Sequence, residues 1–478
     1  MSHRIDKEEI EDILIIGAGA AGQAAARDLA VAGRKVIVLE ARDRIGGRIF
    51  TYKEPSETIP IELGAEFVHG KSPELWQIAK RAHLELYEVS RRHLYFENGQ
   101  LTKSLSFRAA IESLNHSMKA SDVDQSLKDF LATLPDDEET QRASAMVVRY
   151  VEGFHAARID RIGIHGLIKA NEGADSIAGD RAFRFLDGYS ALVQALRAEA
   201  ESHGAKIRLN TTVKEVLWSD DRVEVVCGAD SGKSSFAGSR AIITLPLGVL
   251  QTSRGQSAEV RFVPELPEKK QRAIEHLQMG HVLRIALSFR ERFWETLKIW
   301  DQDIEPVKFA DAGFLHYSEL PLPTWWTQMP VRAPVLVGWV AGPKADGISR
   351  GRPSPDVNRK AESNRGHFPQ TGEALGSLVR DQAIHSLAKL FGLSYEYIRD
   401  RLMAVYFHDW QDDPFSRGAY AYVPVDGLDD QIALSQPVGG ILFFAGEATS
   451  IGHIGTVHGA IMSGRRAASE ILDQRKTT

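Results

Sequence analysis

Residues 13–16, Ile-Leu-Ile-Ile, form an apolar run with no polar alternation, which predicts a short strand buried on both faces. Gly17, Gly19 and Gly22 follow, and the small residues Ala20, Ala21, Ala24, Ala25 and Ala26 predict a closely packing helix that stops at Gly33. A second apolar strand is expected over 35–39, ending on Glu40. Helical periodicity recurs over 74–82, 107–118 and 138–155, and Gly188 marks the turn into a helix carrying Leu192 and Leu196.

"AKIRLNTTVKEVLWSDDRVEVVCG" alternates as an antiparallel hairpin should, and "SRAIITLPLGVL" reads as a buried strand after it. Strands are also predicted at "HVLRIALSF" and "PVLVGWVAG". In the first of these, alternation sets Gly280, Val282, Arg284 and Ala286 on one face and His281, Leu283 and Ile285 on the other. Between Gly342 and Gly372 the chain is polar and rich in Gly, Pro and Ser, which predicts a mobile surface loop, with a lid as the sharper alternative.

A length of 478 residues exceeds what one core usually supports, so two intertwined domains are expected. The 43% hydrophobic and 26% charged fractions are those of an ordinary globular chain. A net charge of −6 gives no global reason to bind nucleic acid or an anionic membrane. Cys227 is the only cysteine, which excludes an intrachain disulfide and reads as a buried strand residue. The charged start and the absence of a run of roughly 20 apolar residues point to a cytoplasmic protein. No metal site is expected, and oligomeric state is not legible.

The glycines gain meaning from their setting. Gly17, Gly19 and Gly22 follow a strand and open a helix whose N-terminus can hold a pyrophosphate, while Glu40 can accept hydrogen bonds from ribose hydroxyls. A tight turn in an alanine-rich core is the plainer alternative. "EARDRIGGR" then adds a second glycine turn, Gly46 and Gly47, and the guanidinium of Arg48.

With this segment the sequence resembles the flavin-containing amine oxidase family, which shares it with phytoene desaturases and protoporphyrinogen oxidases. The resemblance implies an α/β fold: a Rossmann-like FAD-binding domain over 1–70, 181–250 and 406–478, interleaved with a mixed α+β substrate-binding domain over 71–180 and 251–405. It implies FAD contacts at Gly17, Gly19, Gly22, Glu40, Arg42, Gly47, Arg48, Gly64, Ala65, Val213, Trp410, Gly446, Glu447, Thr456 and Val457. Val213 would offer its backbone to the adenine, and the helix starting near Thr456 would aim its N-terminus at the flavin.

Tyr420, in "SRGAYAY", matches the family's aromatic wall opposite the flavin, and Trp410 its strand tryptophan; a core aromatic is the plainer alternative for each, and more so for Trp410. Thr456 replaces the second wall of the monoamine type, so the substrate cage should be more open. Ala419 stands where a cysteine links covalently to flavin in monoamine oxidases, so FAD should be held non-covalently. Glu66 and His69 in "LGAEFVHG" match polar groups at the mouth of the site, where Glu66 would attract a cationic substrate or offer only its backbone, and His69 would act or merely support.

Arg284 departs from the family, which carries lysine there to hold a water and assist reoxidation. Arginine can orient that water, pair with a substrate carboxylate, or mark an enzyme that uses oxygen poorly. The implied activity is FAD-dependent amine oxidation: hydride passes from the amine α-carbon to flavin N5, the imine hydrolyses to aldehyde or ketone, and O2 becomes H2O2. Catalysis would rest on Arg284, Tyr420 and Trp410; a small primary or secondary amine, polyamines included, would meet Glu66, His69, Tyr420 and Thr456. The alternatives are an L-amino acid oxidase, an amine dehydrogenase, a desaturase-type flavoenzyme and a non-catalytic flavoprotein.

Overall fold

Strand Glu11–Ile16 runs parallel to Val36–Leu39 on one side and to the C-terminal half of Gly232–Ile243 on the other. A computed structural model describes residues 11–97, 100–102, 114, 117–119, 121–229, 232–301, 304–350 and 373–474. Lys206–Arg208 and Leu442–Phe444 extend the parallel region. The other half of Gly232–Ile243 is antiparallel to Val223–Ala229, which pairs with Thr212–Trp218, so the hairpin read from alternation is present.

The uninterrupted apolar run is explained by burial on both faces. Ile13 and Ile15 pack with the helix Ala20–Val31, while Leu14 and Ile16 join Val213, Val225 and Cys227 beneath. Cys227 is fully buried on its strand, as expected. Helix Ala20–Val31 lies along the last helix, Val457–Asp473. Their approach is so close that a Cβ on Gly464 would stand 2.1 Å from the Ala21 carbonyl oxygen.

A second, seven-stranded sheet has the order Leu402–Phe407, Val282–Phe289, Val335–Ala341, Thr324–Trp326, Phe314–Tyr317, His93–Glu97, Gln100–Thr102. All its neighbours are antiparallel except Phe314–Tyr317 beside His93–Glu97. Leu283, Ile285 and Leu287 bury one face against helix Glu373–Phe391, and Ala286 packs with Trp326 on the other, matching the predicted alternation. Arg284 is 5% exposed, a buried cation that must find its partners within the protein.

Helices form at Pro73–Arg81 and Glu138–Phe154 as predicted; most of 107–118 lies outside the described residues. One expectation is corrected: Gly342–Arg350, read as the start of a polar loop, is a helix. Pro343 is compatible with a first helical turn, and Lys344 Nζ secures the helix by donating to the carbonyls of Ser318 and Leu320 at 2.6 and 2.9 Å. The rest of the expected loop and lid, 351–372, lies outside the described residues. Among the described residues no helix is long and apolar enough to cross a membrane.

Candidate functional site

The fingerprint glycines act through backbone geometry. Gly17 has φ +106°, and a Cβ on Gly22 would lie 2.0 Å from the Gly17 carbonyl oxygen, so only glycine lets helix and strand meet here. Gly19 caps helix Ala20–Val31 with no side-chain hydrogen bond and no acid in the first turn, leaving the helix N-terminus to a ligand. Gly46 and Gly47 have φ +101° and +58°, and Gly46 bridges to Gly19, so the two glycine turns stand together. Glu40, 4% exposed, closes this end by accepting from Ala18 N at 2.7 Å and Arg42 N at 2.9 Å.

These groups open into a cavity of about 1780 Å³. That exceeds the roughly 300–1,000 Å³ of a drug-sized pocket, and suits a dinucleotide plus a substrate. All the candidate residues line it except Gly22, whose part is the helix–strand contact. The cavity runs from Glu40 and Val213 past Gly47 and Arg48 to Ala65, Tyr420 and Val457.

Several candidate residues hold the cavity's walls together. Arg42 Nη2 donates to Asp413 Oδ1 at 2.7 Å and Ser416 Oγ at 3.0 Å. Arg48 Nη1 donates to Ala419 O and Glu447 Oε1, both at 2.8 Å, and Glu447 also accepts from Gly455 N at 2.9 Å. Ala65 N donates to Arg48 O, against which Gly64 packs so closely that a Cβ would lie 1.9 Å away. Gly446 keeps φ +134° with open space where a Cβ would be, a cradle that a flat ligand can approach. Thr456 is the N-cap of Val457–Asp473, its Oγ1 accepting from Gly459 N at 3.0 Å.

Tyr420 pairs with Gly280 across a two-stranded ladder and donates its hydroxyl to Phe154 O at 2.7 Å. Burial raises its phenol well above the ordinary range, so the ring stays neutral. Trp410 is in the turn after strand Leu402–Phe407 rather than on a strand, because Asp409 accepts from Gln411 N and Asp412 N and bends the chain there. Its indole donates to Leu63 O at 2.8 Å. Burial pushes His69 down to about 4, making it a neutral imidazole.

The largest difference from the sequence reading is at Glu66. Its carboxylate is 2.7 Å from Arg184 Nε and 2.6 Å from Arg284 Nη2, and accepts from Trp326 Nε1 at 3.1 Å. Burial alone would raise this carboxyl, but the two guanidiniums outweigh it and hold it below the usual range. Two cations neutralise one anion, so Glu66 cannot act as an uncompensated lure for a cationic substrate. Arg284 also donates through Nη1 to Glu62 O, which commits both its terminal nitrogens within the protein and leaves it no free fork for a substrate carboxylate.

Sequence reasoning missed Arg184, Trp326 and Phe154. Arg184, a lone charge in the aromatic strand "AFRF", was a usable signal, since a charge on a buried strand needs a partner. Phe154, 47% exposed although it ends a helix, turns its ring to the cavity.

The comparisons agree with this architecture. The family model described as flavin containing amine oxidoreductase matches residues 20–357 and 377–472. A lysine-specific histone demethylase 1 homolog 2 of Arabidopsis thaliana is 28% identical over 96% of this chain, and polyamine oxidase 3 of Oryza sativa subsp. japonica is 30% identical over 97% of this chain and 90% of its own. The chain spans 58% of that demethylase-type relative and 55% of the next two. Among solved structures, putrescine oxidase bound to putrescine gives a TM-score of 0.74 at 20% identity, covering 97% of this chain and 99% of that one. Cyclohexylamine oxidase from Brevibacterium oxydans also gives 0.74 at 20% identity, covering 98% and 100%.

Proposed function

Since this chain belongs to the flavin containing amine oxidoreductase family, we propose that it oxidises a primary or secondary amine, with O2 as the second substrate reduced to H2O2. The cofactor is FAD, and we assign it to segments 1–70, 181–250 and 406–478, with the substrate between these and 71–180 and 251–405. The observation that carries the reading is a continuous cavity, which joins the unblocked N-terminus of helix Ala20–Val31 to the half-buried ring of Tyr420. No cysteine lines it, since Cys227 is on a core strand and Ala419 occupies the wall, in keeping with non-covalent attachment.

Bound FAD would supply the two-electron acceptor for oxidation of the amine, whose imine product hydrolyses to an aldehyde or ketone. The protein's part is to hold the amine and keep water out. Tyr420, fixed by Phe154 O, forms an uncharged wall that favours the neutral amine. His69, a neutral imidazole, accepts a hydrogen bond from the amine N–H. The N-termini of helices Ala20–Val31 and Val457–Asp473 favour negative charge and would hold the anionic groups of a bound dinucleotide.

Arg284 supports a second reading, an amine dehydrogenase that uses oxygen slowly. A permanent cation fixed by Glu66 and Glu62 O cannot pass a proton. Anaerobic mixing with an amine panel tests the first step: bleaching of the flavin is expected, and no bleaching by any amine ends the proposal. Readmitting air separates the two readings, with fast recovery and stoichiometric peroxide expected of an oxidase.

A further inference from the structure

Away from Tyr420 the cavity is walled by rings that the proposed reaction does not use. His93 and Tyr95 share one face of strand His93–Glu97, and the parallel register sets them beside Phe314 and His316. His93 Nδ1 and His316 Nε2 are 2.9 Å apart, with centroids 5.2 Å apart and planes within 5°, the dimensions of an in-plane hydrogen bond between coplanar imidazoles. Phe314 stacks on His93 at 4.6 Å and Tyr95 on His316 at 4.6 Å. Ring contacts then continue from Phe314 to Phe67 at 5.9 Å, His69 at 6.0 Å and Phe154 at 5.5 Å, beside Tyr420.

Beside the imidazole pair the acids already have cations, and Glu152 and Asp175, which also line the cavity, stand on helices Glu138–Phe154 and Ile164–Ser176 rather than on this sheet. The ring of His93 opens to the cavity yet is surrounded by protein, and burial pushes it down to about 4 and His316 to about 3, so the pair is neutral at pH 7. Glu97 on the same strand has Arg149 at 3.9 Å, and Asp180 is paired with Arg91 at 2.9 Å. Side chains standing on a sheet turn ring edges outward, and the positive edge of a ring attracts the negative face of another.

We propose that this band binds the non-reacting end of the substrate and takes a flat, uncharged aromatic tail, which makes the substrates arylalkyl amines rather than diamines. The inference rests on the amine oxidation proposed above and adds the chemistry of the tail. It assigns His93, Tyr95, Phe314 and His316 to specificity rather than to the chemical step.

The test titrates the flavin of the holoenzyme anaerobically with phenylbutylamine, hexylamine and hexamethylenediamine. Phenylbutylamine is expected to bleach at about tenfold lower concentration than either, with a similar limiting rate. His316→Ala should narrow its advantage over hexylamine about tenfold, and His316→Phe, which keeps a flat ring, should preserve it. Should His316→Ala lose its flavin, Tyr95→Leu makes the same comparison. A diamine as effective as the aryl amine, or an aryl preference unmoved in the flavin-loaded variant, overturns the inference. If no amine bleaches the flavin, amine oxidation fails instead, and calorimetry decides the tail: tighter binding of phenylbutylamine than hexylamine, abolished by His316→Ala, sustains the subsite, and equal binding sinks it.

Discussion

Glu66 shows how one carboxylate can organise residues from distant parts of the chain. It sits 218 positions from Arg284 and 260 from Trp326, yet meets both. Glu66→Gln would leave two buried guanidiniums without their anion, and breaking a buried pair costs about 3–5 kcal/mol. Urea unfolding of the holoprotein should show a loss of that order, and a loss of a few tenths would mean that water already compensates the arginines. Arg284→Lys asks a different question of the same network, because lysine can release a proton where arginine does not. Flavin reoxidation in air should be faster in this variant; an equal or slower rate removes arginine as the brake on oxygen.

At the level of elements, the N-terminal strand–helix–strand unit was fully legible because its signals are local: apolar run, glycines, small helix residues, acidic end. The helix N-capped by Thr456 was legible for the same reason. Helix Gly342–Arg350 was not, since Gly, Pro and Ser are loop-forming by composition and the anchoring carbonyls of Ser318 and Leu320 lie elsewhere in sequence. Trp410 was misplaced because Asp409, which bends the chain, resembles any surface acid until its two backbone partners are seen. The ion pairs of Glu66 were invisible to periodicity, which reports faces and not partners. Two variants probe the legible elements. Thr456→Ala removes a cap and should cost about 1 kcal/mol by thermal or urea melts. Gly22→Ala forces a Cβ to 2.0 Å from the Gly17 carbonyl oxygen, so the purified protein should lose most of its flavin, and full retention would show that the helix can retreat.

The molecule as a whole buries imidazoles around its cavity, and this sets how its stability responds to acid. Burial pushes His69 and His155 down to about 4 and His316 and His458 to about 3, whereas an unfolded chain titrates its histidines near 6.5. Between about pH 6.5 and 4 the unfolded chain therefore holds more protons than the native one, so stability must rise with pH across that window and fall on acidification. Glu62, Glu152 and Glu470 oppose this: burial raises all three, Glu62 to about 7, so the native state keeps protons that the unfolded chain releases near 4.5. The imidazoles outnumber them, and the net slope keeps their sign. Each contributes at most about 1.4 kcal/mol per pH unit. His155 is the cleanest probe, because its Nε2 is buried without a hydrogen-bond partner and a phenyl ring can replace it with no polar group stranded. Denaturant midpoints of the holoprotein should drop as pH falls from 6.5 toward 4, and more shallowly in His155→Phe. Midpoints that hold steady or climb on acidification would mean that the cavity already admits enough water to charge these rings.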